Sequence, residues 1–221
     1  MDFEQERHML CEVGAHLYER RLVVAGDGNL SVRAGENDIL ITPSGVCKGR
    51  LEPEMIVHCT IDGAVRASDR SGRQPSSEIA LHIRVYARRP DARAVVHAHP
   101  PIASAFAVCH KAIDEPYLPE TVVNMGEVPV CDFALPSTAA VADSLDPYVD
   151  DHQAVLLANH GALSWADSLW AAFDLMEHVE HIATVHAYVS ILGGGVALGS
   201  DQIARLQELR SFYALRASLD E

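Results

Sequence analysis

Residues 75–100 read PSSEIALHIRVYARRPDARAVVHAHP, and this stretch decides the fold. Its first part has the apolar spacing of a helix over about residues 77–89, and Pro90 ends that helix because proline cannot continue it. The apolar run that follows, residues 94–99, predicts a buried strand. A helix followed at once by a buried strand is typical of a protein that builds a sheet between helices.

The segments on either side continue this alternation of helices and strands. Glycine-containing turns such as Asp62-Gly63 separate short apolar runs and predict antiparallel hairpins. The sequence therefore predicts one α/β domain over residues 1–221. The other predicted helices cover residues 9–24, 101–109, 139–145, 167–192 and 201–215, and the other strands 30–33, 38–41, 55–60, 64–66, 128–130, 154–158 and 162–164.

The composition excludes several classes of protein. The formal net charge of −14 makes binding to nucleic acid or to anionic membranes unfavourable. The first residues contain no apolar signal core, and no run of about 18 apolar residues is present, so we expect a cytoplasmic protein. Five cysteines, an odd number without a CxxC pair, indicate reduced thiols rather than disulfides or a cysteine zinc site.

Two histidines of the predicted strand, His97 and His99, are the first candidate metal ligands. Side chains two residues apart on a strand lie on the same face. Two neutral imidazoles side by side in a core would be poorly satisfied, whereas zinc would use both. His160 is a candidate third ligand, because it lies at a turn between two apolar strands. Three histidines leave coordination positions open, so we expect a catalytic Zn²⁺ that acts as a Lewis acid.

The long predicted helix contains an alternative ligand set in the segment EHVEHIA. There Glu177-His178 and Glu180-His181 are three residues apart, so both pairs could face one metal ion. The polar face of a long helix explains the same residues more simply.

The start of the predicted helix, Ser76, Ser77 and Glu78, has two interpretations. Serine caps helices and a first-turn glutamate complements the helix dipole, so a structural role is sufficient. Alternatively, the hydroxyls and helix N–H groups bind a phosphate, and Glu78 reaches the metal as a proton carrier. The turns Gly28-Asn29 and Ser44-Gly45 could complete this phosphate site, because small residues let backbone N–H groups approach an anion closely.

Together these segments resemble the class II aldolase/adducin family. The matching motifs are GDGNLSVR, ILITPSGV, the stretch 75–100, GEVPV, LLANHGAL and EHVEHIA, in the family's order over about residues 5–215. The resemblance implies a single α/β domain with a central, mainly antiparallel sheet flanked by helices. It also implies a homotetramer of C4 symmetry with active sites between neighbouring subunits.

The resemblance further implies roles for individual residues. His97, His99 and His160 match the zinc ligands, and Glu78 matches a glutamate that binds zinc in the resting enzyme and then transfers the proton. The phosphate-binding positions of the family are matched by Asn29, Ser44, Gly45, Ser76 and Ser77.

A second proton carrier and a lid residue are expected from the same resemblance. Family members that act on fuculose 1-phosphate have a second tyrosine where this chain has Leu118, and Glu120 or Tyr117 could take over its role, with Glu120 favoured. The motif FYALR matches the family's tail, so Tyr213 would close over the site as part of a tail of residues 196–221. Packing of the same helix on the core is the alternative.

The implied activity is cleavage of a ketose 1-phosphate to dihydroxyacetone phosphate and an aldehyde. Fuculose 1-phosphate and 5-deoxy- or 5-methylthio-ribulose 1-phosphate are the candidate substrates. A methylthioribulose-1-phosphate dehydratase, a pentulose-phosphate 4-epimerase and a non-catalytic adducin-like module are the alternatives. Such epimerases typically have aspartate where Glu78 stands, and adducin-like modules lack the metal histidines. A Schiff-base route is disfavoured, because the two lysines, Lys48 and Lys111, lie in turn-like segments far in sequence from the histidines.

Overall fold

One sheet forms the centre of the structure, a computed structural model that describes residues 3–217 and the side chains of residues 3–209. In this part of the chain the strands are β1 (Asn29–Arg33), β2 (Asp38–Ile41), β3 (Val57–Thr60), β4 (Ala94–Ala98), β5 (Val130–Cys131), β6 (Ala154–Leu157) and β7 (Gly161–Ala166). The α-helices of the same residues are α1 (Glu4–Glu19), α2 (Ile79–Arg88), α3 (Pro101–Val108), α4 (Pro119–Asn124), α5 (Ala139–Asp143), α6 (Leu169–Ile191) and α7 (Ser200–Ala217).

The strands lie in the order β3-β2-β1-β4-β7-β6-β5. Every neighbouring pair is antiparallel except β5 and β6, which are parallel. The predicted α/β fold with a central, mainly antiparallel sheet is therefore confirmed.

Strand β4 lies in the middle of the sheet, and all five of its residues are buried. Val96 and Ala98 contact the core on one face, which α1, α3 and α6 cover. Val95 belongs to the core on the opposite face, together with residues of α2. Because side chains alternate along a strand, His97 lies on the α2 face of the sheet. This parity decides which elements can reach the candidate metal ligands.

Three local predictions were wrong. The first helix ends at Glu19, because the chain turns at Arg21 with a positive φ of 60° and then buries Leu22. Residues 64–66 form one bridge to β3 rather than a strand, since the exposed Val65 gains little from pairing. Residues 110–137, in which the sequence predicts a strand but no helix, contain α4, whose Pro119 has a φ suited to a first helical turn.

The last helix, α7, packs on α4. The chain reaches it through two glycines with positive φ, Gly193 and Gly194, which end α6. The lid role predicted for residues 196–221 stays a prediction, and the side chain of Tyr213 lies outside the described residues. Within residues 3–217, no helix combines the length and hydropathy needed to cross a bilayer.

Candidate metal centre and anion cavity

Three separate elements deliver the predicted metal ligands to one end of the sheet. His97 is on β4, His99 directly follows that strand, and His160 lies in the turn between β6 and β7. That turn needs Gly161, because a Cβ atom there would lie 2.5 Å from the Ala98 carbonyl oxygen and 2.6 Å from the His99 ring. Steric crowding thus explains why glycine follows His160, since only glycine lets this turn approach the end of β4.

The three imidazoles converge on a common point. One ring nitrogen from each lies within 4.8 Å of those of the other two. The ring centroids of His97 and His160 are 4.7 Å apart, and those of His99 and His160 are 5.0 Å apart. The Nε2 atoms of His97 and His99 are separated by 3.1 Å. The grouping of histidines predicted from the sequence is therefore present.

The hydrogen bonding of His97 suits metal coordination. Its Nδ1 lies 2.9 Å from the carbonyl oxygen of Ala162, an acceptor, so the ring proton is on Nδ1. The Nε2 lone pair then faces the other two histidines, and backbone carbonyls commonly orient ligating histidines in this way. Three neutral imidazole nitrogens beside a carboxylate are a suitable donor set for a divalent cation with an open position. The residues present therefore fit the metal that was predicted.

Glu78 completes the cluster from the start of α2. The helix begins at Ile79, two residues later than predicted, so Glu78 occupies the N-cap position without capping the helix through its side chain. Its carboxylate lies 3.2 Å from His97 Nε2 and 3.3 Å from His160 Nε2. Burial opposes ionisation, but a hydrogen bond from His97 and the charges of His97 and His160 in their protonated forms, together with the Asn29 amide, lower the pKa of Glu78 to about 2. The group is thus a carboxylate at neutral pH.

A buried chain of polar side chains holds Glu78 in place. Asn29 Nδ2 donates to Glu78 Oε2 over 3.1 Å, and Asn29 Oδ1 lies 2.5 Å from His82 Nε2. His82 Nδ1 lies 2.6 Å from the Ser31 hydroxyl, which is 2.7 Å from that of Tyr86. Burial, followed by the nearby charge of His97, lowers the pKa of His82 to about 3. His82 had no predicted function, because its partners are on β1, about fifty residues away in sequence.

A small anion-sized cavity adjoins the metal centre. It has a volume of about 160 Å³, and Glu78 and His99 form the wall that it shares with the metal ligands. The turn at Ser44-Gly45 has a positive φ of 72° at Gly45. The segment of Ser76 and Ser77 lies beside this turn, because Ser76 N donates to the carbonyl oxygen of Thr42 at the end of β2. All five predicted phosphate-binding residues line this cavity: Asn29, Ser44, Gly45, Ser76 and Ser77.

The cavity also contains a residue that the sequence analysis set aside. Lys48 lines it, although the lysine is far in sequence from every histidine. A short 3₁₀ turn, Lys48–Arg50, carries it and packs against α1. The signal that could have found it is its position three residues after Gly45, just beyond a turn already assigned to anion binding.

The candidate second proton carriers lie elsewhere in this chain. Burial lowers the pKa of His178 on α6, and the nearby Glu120 carboxylate partly opposes that shift. Tyr117 stacks edge-on with His186, also on α6, at a centroid distance of 4.9 Å. Since α6 covers the face of β4 opposite His97, both candidates lie across the sheet from the metal ligands of their own chain. A catalytic role for Glu120 stays a prediction and would need a neighbouring copy.

The alternative ligand set on α6 has other functions. Glu180 accepts hydrogen bonds from the backbone N–H groups of Ile102 and Ala103, at the start of α3. Glu177 forms an ion pair of 2.7 Å with Arg20. The polar-face interpretation of these residues is therefore the better one.

Comparison with known proteins agrees with this geometry. The model of the Class II Aldolase and Adducin N-terminal domain matches residues 8–187. The 3-oxo-tetronate 4-phosphate decarboxylase of Escherichia coli O6:H1 is 32% identical over 192 residues, which cover 85% of this chain and 87% of the relative. The 5-methylthioribulose-1-phosphate/5-deoxyribulose-1-phosphate aldolase of Rhodospirillum rubrum is 30% identical over 213 residues, 96% of this chain and 94% of the relative.

A solved structure points the same way. An L-fuculose 1-phosphate aldolase matches with a TM-score of 0.85 at 30% identity, over 92% of this chain and 95% of that one. The aldolases of this family are metal-dependent, and three histidines that could hold a metal ion converge here. The chain therefore belongs to the class II aldolase and adducin family, and it is one of the family's enzymes.

Proposed function

We propose that this protein is a zinc-dependent carbon–carbon lyase that cleaves a ketose 1-phosphate to dihydroxyacetone phosphate and an aldehyde. The observation that carries the proposal is the shared wall between the metal centre and the anion cavity, formed by Glu78 and His99. A substrate whose phosphate fills the cavity has its carbonyl carbon a few bonds away, beside the three histidines. Fuculose 1-phosphate and 5-deoxy- or 5-methylthio-ribulose 1-phosphate all have this arrangement.

The bound Zn²⁺, held by His97, His99 and His160, would supply Lewis-acid chemistry that polarises the substrate carbonyl. The protein's own residues hold the substrate and move the proton. Cleavage of the C3–C4 bond requires loss of the C4 hydroxyl proton and leaves a carbanion at C3. We assign removal of the C4 hydroxyl proton to Glu120 or Tyr117 of a neighbouring subunit. Glu78, which lies beside the metal ligands, takes a proton from solvent and delivers it to C3.

Several neutral donors of the phosphate site help to orient the substrate. The hydroxyls of Ser44, Ser76 and Ser77, with nearby backbone N–H groups, suit the oxygens of a phosphate. The Asn29 side chain contacts Glu78 and also lines the cavity, so it connects the two halves of the site. Binding energy from the distant phosphate then helps to place the reacting carbon.

Decarboxylation of 3-oxo-tetronate 4-phosphate is the second candidate, favoured by the relative of Escherichia coli. Loss of CO₂ from that β-keto acid leaves a carbanion on the carbon next to the ketone. The phosphate ester is on the other side of that ketone. This carbanion is the same one that aldol cleavage leaves, and protonation gives dihydroxyacetone phosphate in both cases. The two reactions differ in the group that leaves. Release of an aldehyde requires a base that removes the C4 hydroxyl proton, whereas release of CO₂ from a carboxylate requires no such base.

We also infer a cytoplasmic homotetramer with active sites between subunits. The position of Glu120 across the sheet from its own metal centre supports this inference, because a neighbouring subunit is the remaining way for it to reach a substrate. Five free cysteines support a reducing compartment. A C4 tetramer should be visible by light scattering, and a monomer with full activity would contradict the shared site.

The decisive experiment is a substrate panel on the zinc-loaded protein. Each ketose 1-phosphate and 3-oxo-tetronate 4-phosphate is assayed for dihydroxyacetone phosphate, aldehyde and CO₂. We expect equal amounts of dihydroxyacetone phosphate and aldehyde from a ketose 1-phosphate, with loss on chelation and recovery with zinc. CO₂ release without aldehyde would replace the aldolase by the decarboxylase. A dehydrated product, or epimerisation at C4 of a pentulose 5-phosphate, would favour the remaining alternatives.

A further inference from the structure

Lys48 is buried at the anion cavity, and no carboxylate among residues 3–209 forms an ion pair with its ammonium. The residue is 1% exposed, and its ammonium donates to the carbonyl oxygens of Gly26 at 2.9 Å and Val46 at 2.6 Å. These two bonds leave one of its three N–H donors for another acceptor. Burial lowers the pKa of Lys48 to about 8, while the charge of Asp27 opposes the shift. The lysine therefore still carries its charge near neutral pH.

The backbone that carries this lysine is held firmly against α1. A Cβ atom at Gly49 would lie 2.6 Å from the Tyr18 ring, and one at Gly14 would lie 2.9 Å from the Lys48 carbonyl oxygen. Both glycines thus permit a close approach of the turn to α1. The position of the ammonium is consequently set before any ligand binds, which reduces the entropy that binding costs.

The charges around the cavity make this ammonium necessary for anion binding. Two carboxylates line it, Asp27 and Glu78, and both repel a phosphate. The lining also contains the His99 ring, which is one of the three candidate metal ligands. Among the lining residues, Lys48 is the remaining source of positive charge. The serines and Asn29 offer hydrogen bonds but no charge.

We propose that Lys48 is the cation of the phosphate subsite and donates a charge-assisted hydrogen bond to the phosphate group of the substrate. The proposal rests on the proposed function in taking the ligand to be a phosphate ester. Lys48 is thereby a determinant of specificity for phosphorylated over unphosphorylated substrates. A purely structural lysine, which only joins the turns at Gly26 and Val46, would lack this effect.

The test uses the zinc-loaded protein with Lys48→Met and Lys48→Arg, and Lys111→Met as the matched control on an exposed lysine. Binding of inorganic phosphate is measured by calorimetry. We expect Lys48→Met to weaken binding about 10- to 100-fold, Lys48→Arg to retain most of it, and Lys111→Met to behave as the unaltered protein. Unchanged affinity in a folded Lys48→Met protein would overturn the proposal, and so would an effect confined to melting temperature.

A second measurement does not depend on the folding of that variant. The unaltered chain has two lysines, so the side-chain nitrogen signals of ¹⁵N-labelled lysine can be assigned with Lys111→Met. Phosphate should shift the Lys48 signal and leave that of Lys111 in place, and an unmoved Lys48 signal at saturating phosphate would refute the contact. Because both readouts use inorganic phosphate without turnover, they remain valid if the substrate panel finds another reaction.

Discussion

Two groups of histidines in this chain look alike in sequence and differ completely in space. His97, His99 and His160 come from a strand, its end and a distant turn, and one nitrogen from each lies within 4.8 Å of the others. His178 and His181 are neighbours on one helix, yet their ring centroids are 6.4 Å apart and the rings are tilted by 54°.

The carboxylates beside the two groups differ in the same way. Glu78 contacts two of the three strand-end histidines and has one oxygen, Oε1, without a hydrogen-bond donor among the described residues. Glu177 is paired with Arg20, and Glu180 with backbone N–H groups. A high local density of ligand-type residues is thus insufficient for a metal site. A metal site requires side chains that converge from separate elements and a carboxylate oxygen that is still free to accept a bond.

The largest expected effect comes from removing a converging histidine. His97→Ala, His99→Ala and His160→Ala should each lose metal and at least about 10³-fold of activity, because Lewis-acid stabilisation contributes several kcal/mol. Elemental analysis of the purified variants, set against about one metal ion per chain in the unaltered protein, measures the first loss, and steady-state assays measure the second.

The matched control is the double variant His178→Ala/His181→Ala, which should keep its metal. If that variant lost the ion while the strand-end variants retained it, the comparison between the two groups would be reversed.

Glu78→Gln separates proton transfer from metal binding. The amide keeps the size of the side chain but cannot carry the proton, so turnover should fall about 10²- to 10⁴-fold while much of the metal remains. Glu177→Gln is the control, since its ion pair with Arg20 is far from the reaction and should leave kcat unchanged. Near-normal turnover in Glu78→Gln would remove the proposed proton carrier.

His82→Phe tests the buried chain behind Glu78, with the exposed His8→Gln as its control. The phenyl ring leaves Asn29 and Ser31 without their partner, so Glu78 loses part of its support and kcat should fall about tenfold, as for one lost hydrogen bond of about 1 kcal/mol or more. Metal content should be unchanged. An unaltered kcat would show that Asn29 is held well enough by the rest of the cavity.

The same variant should change the pH dependence of stability. Above pH 6.5, His82 is neutral in both folded and unfolded chains and contributes nothing. Below that pH the unfolded chain becomes protonated at this histidine, whereas in the folded chain the pKa is about 3. The free energy of unfolding therefore decreases as the pH is lowered, by up to about 1.4 kcal/mol per pH unit. Denaturant titrations between pH 6.5 and 4.5 should therefore give a shallower slope for His82→Phe than for His8→Gln.

Much of the fold and site followed from short-range patterns. The helix before β4, its ending at Pro90 and the common face of His97 and His99 each depend on residues within one or two turns of one another. The phosphate residues are likewise local turns, and their gathering in one cavity could be expected from the family resemblance. Local periodicity and turn chemistry are strong where burial and glycine geometry enforce them.

The remainder depends on which elements meet across the sheet. Lys48 looked remote because distance was judged along the chain, whereas the contact of its turn with α1 brings it to the cavity. His82 seemed unpartnered because its partners, Asn29 and Ser31, are on β1. A proton-carrier role for Glu120 was expected from the family resemblance alone, and the parity of β4 indicates that Glu120 lies across the sheet from the histidines of its own chain. Apart from the position of Lys48 just after Ser44-Gly45, no local pattern contains this information.

The smallest expected effect concerns Glu180, the residue that best distinguishes a capping carboxylate from a metal ligand. It accepts hydrogen bonds of 3.0 Å from Ile102 N and 2.9 Å from Ala103 N, at the positive end of the α3 dipole. Glu180→Ala should therefore cost about 1–2 kcal/mol of stability, as the loss of a helix cap does, and lower the melting temperature by about 2–4 °C per kcal/mol. Glu180→Gln should lose less, because an amide oxygen still accepts a hydrogen bond. Both variants should keep a full complement of metal and a nearly unchanged KM, since α3 leads away from the site on the α6 face. If Glu180→Ala lost metal while it kept its full helical content, the residues of α6 would also contribute to metal binding. The contrast between the two groups of histidines would then be wrong.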